Sequence, residues 1–412
     1  MIGPLSKPRR PTCASAPRQF IAITALLTIL SSGCSASGTT RASSVTIIAP
    51  DVTDYRGDLS RRGLMPGPGL DEAPVMLWRH QDPTSLGFPP AVAGGQVLIP
   101  EDLSLLALDL TSGDPVWSVP LGATINAPIT VSEGTAFVTT TDGVLRAIDL
   151  SSHRERWQFA GAADGGQISV QDDTVYLGTR ERRFVALNAA TGALDWSVET
   201  GTSSGKNAIV NGVAYVGGDG GSMLTAIALG SRTILWTFDT HSDRIATPSV
   251  ADGTVYLAGI AAGGLSGRNT NLFAIDAATG EQEWTFAAPM DQPMAAFAVG
   301  KHDVLIGVDA APGTLYAIDR VTGQLHWQSA IAGAVDRPAL VDDVVYVAAG
   351  PGGLHAFDLT TGHELWSAAV DGYSEGVVLT DGIALVASRD APDAPGTITA
   401  FVGRNDPRAP GR

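Results

Sequence analysis

The chain contains 412 residues, of which 44% are hydrophobic and 17% are charged, and its formal net charge at neutral pH is −16. This composition provides enough apolar side chains for a substantial core, and it excludes an intrinsically disordered protein. The net negative charge argues against a nucleic-acid partner, because an acidic surface repels a phosphate backbone.

Residues 1–33 have the features of a signal peptide. The first 19 residues carry four basic side chains and no acidic ones, and an apolar run follows from Phe20 to Leu30. That run is too short to cross a bilayer as a helix, which needs roughly 20 residues. A positive start, a short apolar stretch and small residues at 31–33 are typical of a secretory signal.

The residues before Cys34 predict a lipid anchor. The sequence "LSSGC" at 30–34 is similar to a bacterial lipobox, although Leu30 lies one position earlier than the usual pattern places it. The alternative is an ordinary signal peptide that is cleaved near "SASG". We expect lipid attachment at Cys34 and a membrane-anchored protein, on the outer side of the cytoplasmic membrane or in the periplasm. Cys13 leaves with the signal, so a disulfide or thiolate metal site is not expected.

Two segments outside the main domain lack the pattern of regular structure. Residues 34–72 are dominated by small, polar, Gly and Pro residues, which predicts a flexible tether between the lipid and the domain. The last segment, residues 403–412, is predicted to be a disordered tail.

The rest of the chain is a repeat marked by tryptophan. Successive tryptophans are separated by 39 to 48 residues, at Trp78, Trp117, Trp157, Trp196, Trp236, Trp284, Trp327 and Trp366. A period near 40 residues indicates an array of similar supersecondary units.

Each repeat contains the signals of four short strands. An apolar strand is followed by a two-residue turn rich in Asp, Asn and Gly, and then by a β-rich strand such as "TVYLGT". A variable loop leads to "LxAIDxxTGxxxW". Four strands in about 40 residues are typical of one blade of a β-propeller. We predict that the tryptophans lie on the outermost strands, dock between blades and are structural.

The two ends of the repeat array predict how the ring closes. Seven copies run through Trp366, whereas the last copy, at 374–402, lacks a tryptophan and Trp78 has no copy before it. We therefore predict an all-β, eight-bladed propeller of four-stranded antiparallel blades over residues 73–402. The strand of Trp78 is expected to complete the last blade and close the ring.

The motif "A-[LIF]-D-x-x-[TS]-G-x-x-x-W" resembles the tryptophan-docking repeat of the PQQ-like β-propellers over residues 73–402. Two kinds of protein in that family are relevant. Quinoprotein dehydrogenases hold a quinone and Ca²⁺ on the propeller axis, and many stack the quinone on a disulfide between adjacent cysteines. The other kind is the lipid-anchored scaffold of the outer-membrane barrel-assembly machinery. The mature chain has no cysteine pair, so its plan is more similar to the scaffold. Two departures, His153 for Gly and Ala228 for Asp, predict distorted outer turns.

The sequence shows no motif for catalysis or for binding a metal or cofactor. The seven histidines are not spaced as a metal pair, and neither GxSxG nor a P-loop occurs. We therefore expect no catalytic, cofactor-binding or metal-binding residue.

The candidate binding surface is one face of the propeller. The loops after the second and fourth strands of each blade emerge on the same side, which we call the loop face, and loops on a rigid scaffold often bind partners. An unusual basic cluster and two Asp-Arg pairs fall there. The candidate residues are Arg180, Arg182, Arg183, Asp243, Arg244, Asp336 and Arg337. The alternative is that these charges only solvate turns.

Together these features favour a monomeric, non-catalytic lipoprotein scaffold that binds an envelope protein or peptide and functions in envelope protein assembly. Two alternatives remain open at this stage. One is a quinone- and Ca²⁺-dependent dehydrogenase, and the other is an extracytoplasmic sensor module that binds a small ligand in the axial channel.

Overall fold

The computed structural model describes residues 51–82, 87–162, 165–201, 205–218, 221–260, 271–287, 294–308, 312–335, 337–350, 353–390 and 394–411. The predicted signal peptide, Cys34 and the first part of the predicted tether lie outside these described residues. Among the residues described, no helix has the length and apolar character needed to cross a bilayer.

The strands fall into groups that we number as blades in chain order. The first strand is β1 (Val75–Asp82). Blade one contains β2 (Ala91–Ala93), β3 (Gln96–Glu101), β4 (Ser104–Asp109) and β5 (Pro115–Pro120), and blade two contains β6 (Thr130–Ser132), β7 (Thr135–Thr139), β8 (Val144–Asp149) and β9 (Arg154–Ala160). Blade three contains β10 (Ser169–Gln171), β11 (Thr174–Gly178), β12 (Arg183–Asn188) and β13 (Leu194–Glu199), and blade four contains β14 (Lys206–Val210), β15 (Val213–Gly217), β16 (Met223–Ala228) and β17 (Thr233–Asp239).

The second half of the chain repeats this arrangement. Blade five contains β18 (Arg244–Ile245), β19 (Ser249–Ala251), β20 (Thr254–Ile260), β21 (Asn271–Asp276) and β22 (Gln282–Ala287), and blade six contains β23 (Met294–Val299), β24 (Asp303–Val308), β25 (Gly313–Asp319) and β26 (Leu325–Ile331). Blade seven contains β27 (Ala339–Val341), β28 (Val344–Ala349), β29 (Gly353–Asp358) and β30 (Glu364–Ala368), and blade eight contains β31 (Tyr373–Thr380), β32 (Ile383–Arg389) and β33 (Gly396–Val402).

The strands pair as eight separate antiparallel sheets, which confirms the predicted eight-bladed β-propeller. Blade eight is completed by β1, which pairs with β33 so that Trp78 lies opposite Ala400. In blade five the innermost strand is divided into β18 and β19, and both parts pair with β20. The N- and C-terminal strands therefore join in one sheet and close the ring, as the sequence predicts.

The hydrophobic core lies between the blades rather than in one central mass. Apolar clusters of described residues bridge each pair of neighbouring blades. The cluster that closes the ring joins Trp78 and Leu385 of blade eight to Val97 and Leu110 of blade one. The ring is consequently held together by sheet-to-sheet packing around its whole circumference.

The repeated motif builds a joint between each blade and the next. In blade six, Asp319 Oδ1 accepts hydrogen bonds from the backbone N–H and the hydroxyl of Thr322 at 2.7 and 2.8 Å. The turn ends at Gly323, whose φ is +69°. A Cβ at Gly323 would lie 2.6 Å from the indole of Trp284 in blade five. Glycine is therefore required twice, for the positive φ and for the close approach of the indole.

The indole of the preceding blade also donates a hydrogen bond to this turn. Trp284 Nε1 donates to the carbonyl oxygen of Arg320 at 2.9 Å. The same contact of indole and turn glycine joins Trp78 to Gly113, Trp157 to Gly192, Trp236 to Gly280 and Trp327 to Gly362. The motif thus links consecutive blades by packing and by a hydrogen bond at the same point.

The two departures from the motif do not distort the outer turns, contrary to the sequence-based expectation. His153 adopts the positive φ of the missing glycine, at +54°, and its N–H still donates to Asp149 O at 2.9 Å. Its ring stacks on Trp117, with the ring centroids 4.7 Å apart. In blade four, Arg232 adopts a φ of +61° and bonds to Ala228 O in the same way. In both turns a non-glycine residue adopts the positive φ, so the backbone geometry is preserved.

The aspartates that open the outer turns are expected to make the stability of the fold depend on pH in the acid range. Hydrogen bonds from the Thr322 hydroxyl and backbone hold the pKa of Asp319 below its usual value, and turn bonds do the same at Asp109, Asp276 and Asp358. A carboxylate whose pKa is lowered on folding stabilises the folded protein fully above the unfolded-state pKa of about 3.9. That stabilisation is lost as the pH falls through the lower, folded-state pKa.

Replacing these four aspartates together by Asn should therefore reduce stability at pH 7, and the difference from the wild type should narrow as the pH falls below about 3.9. Asn188 shows that Asn keeps the turn, because its Oδ1 accepts from the Thr191 N–H at 3.0 Å. Urea unfolding of both proteins at pH 7 and pH 3 measures the difference. A stability gap that is equal at the two pH values would contradict this explanation.

Candidate functional site: the closed channel and the loop face

The structure places residues 51–70, which we call the strap, inside the ring instead of in a flexible tether. Strap residues form hydrogen bonds to the innermost strand, or its flanking turn, of every blade. The pairs are Val52 with Val92, Thr53 with Val131, Arg61 with Ile168, Leu59 with Ile209, Ser60 with Val250, Arg62 with Val299, Gly63 with Leu340 and Gly67 with Asp381. The tether predicted for 34–72 therefore differs from the structure over its described part.

The Gly content of the strap serves close approach rather than flexibility. A Cβ at Gly69 would lie 2.2 Å from the Tyr346 hydroxyl oxygen, and one at Gly57 would lie 1.9 Å from Leu64 O. Val52 and Leu70 are each 3% exposed. A composition typical of linkers is here required by tight packing in the channel, which explains why the sequence alone predicted a tether.

Arg61 lies at the centre of this packing and is completely buried. Its guanidinium donates to Tyr55 O at 2.7 Å, Ile168 O at 2.9 Å, Ser169 Oγ at 2.7 Å and Asn207 O at 3.2 Å. Arg61 Nη1 also lies 3.5 Å from Asp54 Oδ1, which makes an ion pair. Burial lowers the pKa of Arg61 and raises the pKa of Asp54. The side chain thereby ties the strap to blades three and four.

A second arginine ties the strap to the opposite side of the ring. Arg56 Nη2 donates to Phe297 O at 2.5 Å and to Pro338 O at 2.8 Å, in blades six and seven. Arg56 and Arg61 both have positive φ angles, +65° and +62°. These backbone conformations are uncommon for arginine, so we attribute them to the tertiary contacts of the side chains.

The end of the strap replaces a turn that blade eight does not possess. Trp366 of blade seven donates from Nε1 to Leu70 O at 3.1 Å, whereas Trp284 and its equivalents bond to the next blade's outer turn. The Tyr346 hydroxyl accepts from the Leu70 N–H at 2.8 Å, and burial raises the pKa of Tyr346 to about 12. Because the outer strand of blade eight is β1, the strap supplies the missing contact.

The C-terminal residues also pack against the ring instead of forming the predicted disordered tail of 403–412. Arg408 bonds to Asp381 Oδ2 at 2.8 Å and to Asp406 Oδ2 at 2.7 Å. Ala409 is only 6% exposed and belongs to the cluster between blades eight and one. Arg412 lies outside the described residues.

The described cavity beside the strap is too small for a quinone. The cavity beside the strap, lined by Val52, Tyr55, Pro89, Pro128 and Arg337 among others, has a volume of about 20 Å³. A site for an organic cofactor usually needs at least about 300 Å³. Within the described part of the chain, no group of three or more His, Cys, Asp or Glu side chains is arranged to hold a metal.

Some arginines of the basic cluster on the loop face form hydrogen bonds to other residues of the propeller. Arg180 and Arg182 are exposed, and Arg180 reaches across to Thr141 O in blade two at 3.4 Å. Arg183 is half-buried and donates to Ser197 Oγ at 2.6 and 3.0 Å. Of the three arginines predicted for this basic cluster, only Arg180 and Arg182 are therefore exposed to solvent.

The Asp-Arg pairs lie in other blades. Asp243 and Arg244 are exposed at the start of the inner strand of blade five. Arg337 belongs to blade seven, and Asp336 lies outside the described residues. The candidate residues thus occupy blades three, five and seven, distributed around the loop face and not gathered in one cluster.

Arg337 belongs to a charged group that the sequence did not reveal. It donates to Glu375 O at 2.6 Å and approaches Glu375 Oε2 at 3.5 Å. Arg389 pairs with the other oxygen of the same carboxylate at 2.5 Å. Glu375 is 9% exposed, so two guanidinium groups surround one largely buried carboxylate. No sequence signal indicated this, because the three residues come from separate strands and loops.

Comparisons with known proteins agree with this architecture. A family profile described as "Outer membrane protein assembly factor BamB" matches residues 75–211, 154–269 and 198–405. The protein of that name from Yersinia pestis is 25% identical over 247 residues, which cover 52% of this chain and 61% of the relative. The match thus covers less than two thirds of that relative.

Solved structures show the same fold. BamB from Moraxella catarrhalis has a TM-score of 0.62 and 17% identity, and the match covers 81% of this chain and 99% of that one. The quinohemoprotein alcohol dehydrogenase ADHIIG from Pseudomonas putida HK5 has a TM-score of 0.68 and 15% identity, with 88% and 82% of the two chains covered. At these identities the likeness concerns the fold alone.

Proposed function

Since the chain belongs to the PQQ-like β-propeller family described as outer membrane protein assembly factor BamB, we propose that it is a non-catalytic scaffold of the cell envelope. In this proposal, lipid on Cys34 anchors the protein to a membrane, and the loop face binds a protein or peptide during the assembly of envelope proteins. The observation that carries the proposal is the family match, whose segments together run from residue 75 to residue 405.

The cavity beside the strap also disfavours a small-ligand sensor at the end of the channel opposite the loop face. A cavity of about 20 Å³ accommodates about one water molecule and no metabolite. Recognition is then a task for the outer surface. A rigid ring with variable loops suits that task, because its loops hold binding side chains without a large entropic cost.

The loop face is favoured over the opposite face, which we call the turn face. The turn face consists of the turns between the first and second strands of each blade, which we call the A–B turns, and of the Asp-Gly turns between the third and fourth strands. Most of the Asp-Gly turns are occupied in docking the tryptophans. The loops of the other face differ in length and sequence from blade to blade. Exposed Arg180, Arg182 and Arg244 are located there, and they complement an acidic segment of a partner.

Charge reversal tests this assignment. Replacing Arg180 and Arg182 together by Glu should weaken partner binding about tenfold or more, because two attractive charges become repulsive. The melting temperature should change little, since both side chains are exposed. The matched control replaces Arg154 and Arg232, two exposed arginines on the turn face, by Glu.

The measurement begins with cross-linking in cells that express the wild-type chain, followed by identification of the captured protein. The dissociation constants of that purified protein for wild type and both variants are then compared. Equal weakening by the loop-face and turn-face variants would show that only net charge matters, and would overturn the loop-face assignment.

A further inference from the structure

The strap lies at one end of the channel, the end that borders the turn face. It meets the innermost strands where they run into their A–B turns. Thr53 O accepts from the Val131 N–H near the end of β6, and Gly67 O accepts from the Asp381 N–H in the turn that follows β31. The innermost strands are sheet edges, so the strap satisfies backbone groups that a sheet edge leaves unpaired.

The point of entry of the strap is also fixed. Asp51 Oδ1 accepts from the Gly94 N–H at 2.8 Å, and Gly94 belongs to the A–B turn of blade one. The next residue, Val52, forms an isolated bridge with Val92. The chain therefore reaches the ring at the turn face, beside blade one, before it enters the channel.

The contacts of the strap are those of a permanent element. Arg61 is buried with four hydrogen bonds, and Trp366 and Tyr346 both bond to Leu70. Withdrawal of the strap would leave an inner rim of unpaired backbone groups and expose Val52 and Leu70, so the closed arrangement is strongly favoured.

We infer that the strap is a permanent brace that seals the turn-face end of the channel and stays in place when a partner binds. The partner in this inference is that of the proposed function, whereas the brace itself does not depend on a lipid anchor.

An engineered disulfide tests whether the strap is permanent. Leu64 and Leu340 are bridge partners, so Leu64→Cys with Leu340→Cys should form a disulfide in a mature domain that has no other cysteine than the lipidated one. In the full-length chain the oxidised variant should keep the wild-type affinity for the cross-linked partner and melt no earlier than the reduced form. A loss of binding on oxidation that reduction restores would show that the strap must move, and would overturn the brace.

The failure of this inference and the failure of the proposed function can be distinguished. If no partner is captured by the wild-type chain, only the proposed function is contradicted. The melting comparison still tests the brace, and an oxidised form that melts earlier than the reduced form would overturn it.

Discussion

Replacing Arg61 with Ala is expected to lower the free energy of unfolding by about 3–5 kcal/mol, the usual cost of breaking a buried, fully hydrogen-bonded charge. The substitution leaves three carbonyl oxygens, of Tyr55, Ile168 and Asn207, without their donor. It also leaves the buried carboxylate of Asp54 without its cation. These groups are largely or wholly buried, so water compensates them poorly.

The neighbouring residue provides a matched control. Arg62 belongs to the same strap, but its side chain is 38% exposed and it pairs with Asp58 at 2.9 Å on the surface. Arg62→Ala should cost at most about 1 kcal/mol. Urea denaturation of the two variants measures both values. Equal, small effects would show that the strap does not hold the ring together.

Replacing Trp78 with Ala is expected to cost about 3–5 kcal/mol, because it empties a buried indole site at the junction of the chain ends. Trp78 is 7% exposed, packs against Gly113 and donates to Leu110 O at 2.9 Å. These contacts join blade eight to blade one. The loss therefore weakens the contact that closes the ring as well as the packing of β1.

Trp117→Ala is the corresponding control. Trp117 is only partly buried, stacks on His153 and donates to Gln96 in its own blade. Its replacement should cost less than that of Trp78, since no hydrogen bond to the next blade is lost. Calorimetric unfolding of both variants compares them. A larger loss at Trp117 would contradict the importance assigned to ring closure.

The architecture of the ring was predictable because the same sequence motif recurs in most blades. Each repeat carries an aspartate, a glycine and a tryptophan at fixed spacing, and these residues build one joint. Even the split last blade followed from Trp78, which has no repeat copy before it. A pattern that recurs at a period near 40 residues averages out local exceptions such as His153.

The strap was not predictable because it occurs once and has no period. Its Gly, Pro and charged residues have the composition of a linker, and their burial depends on partners more than 100 positions away, as for Arg61 with Ile168. The loop-face residues were partly predictable from composition. Their placement in separate blades, and the grouping of Arg337 with Glu375 and Arg389, depend on tertiary structure that no local pattern encodes.

The central claim is that the residues before β1 form part of the propeller. Backbone hydrogen exchange of the full-length protein tests it most directly, since exchange reports the free energy of opening at each amide. We expect the amides of Val52, Gly63 and Met65, whose N–H groups are bonded to carbonyl oxygens, to exchange as slowly as those of the innermost strands. Exchange at these amides within seconds, while the strands remain protected, would contradict it.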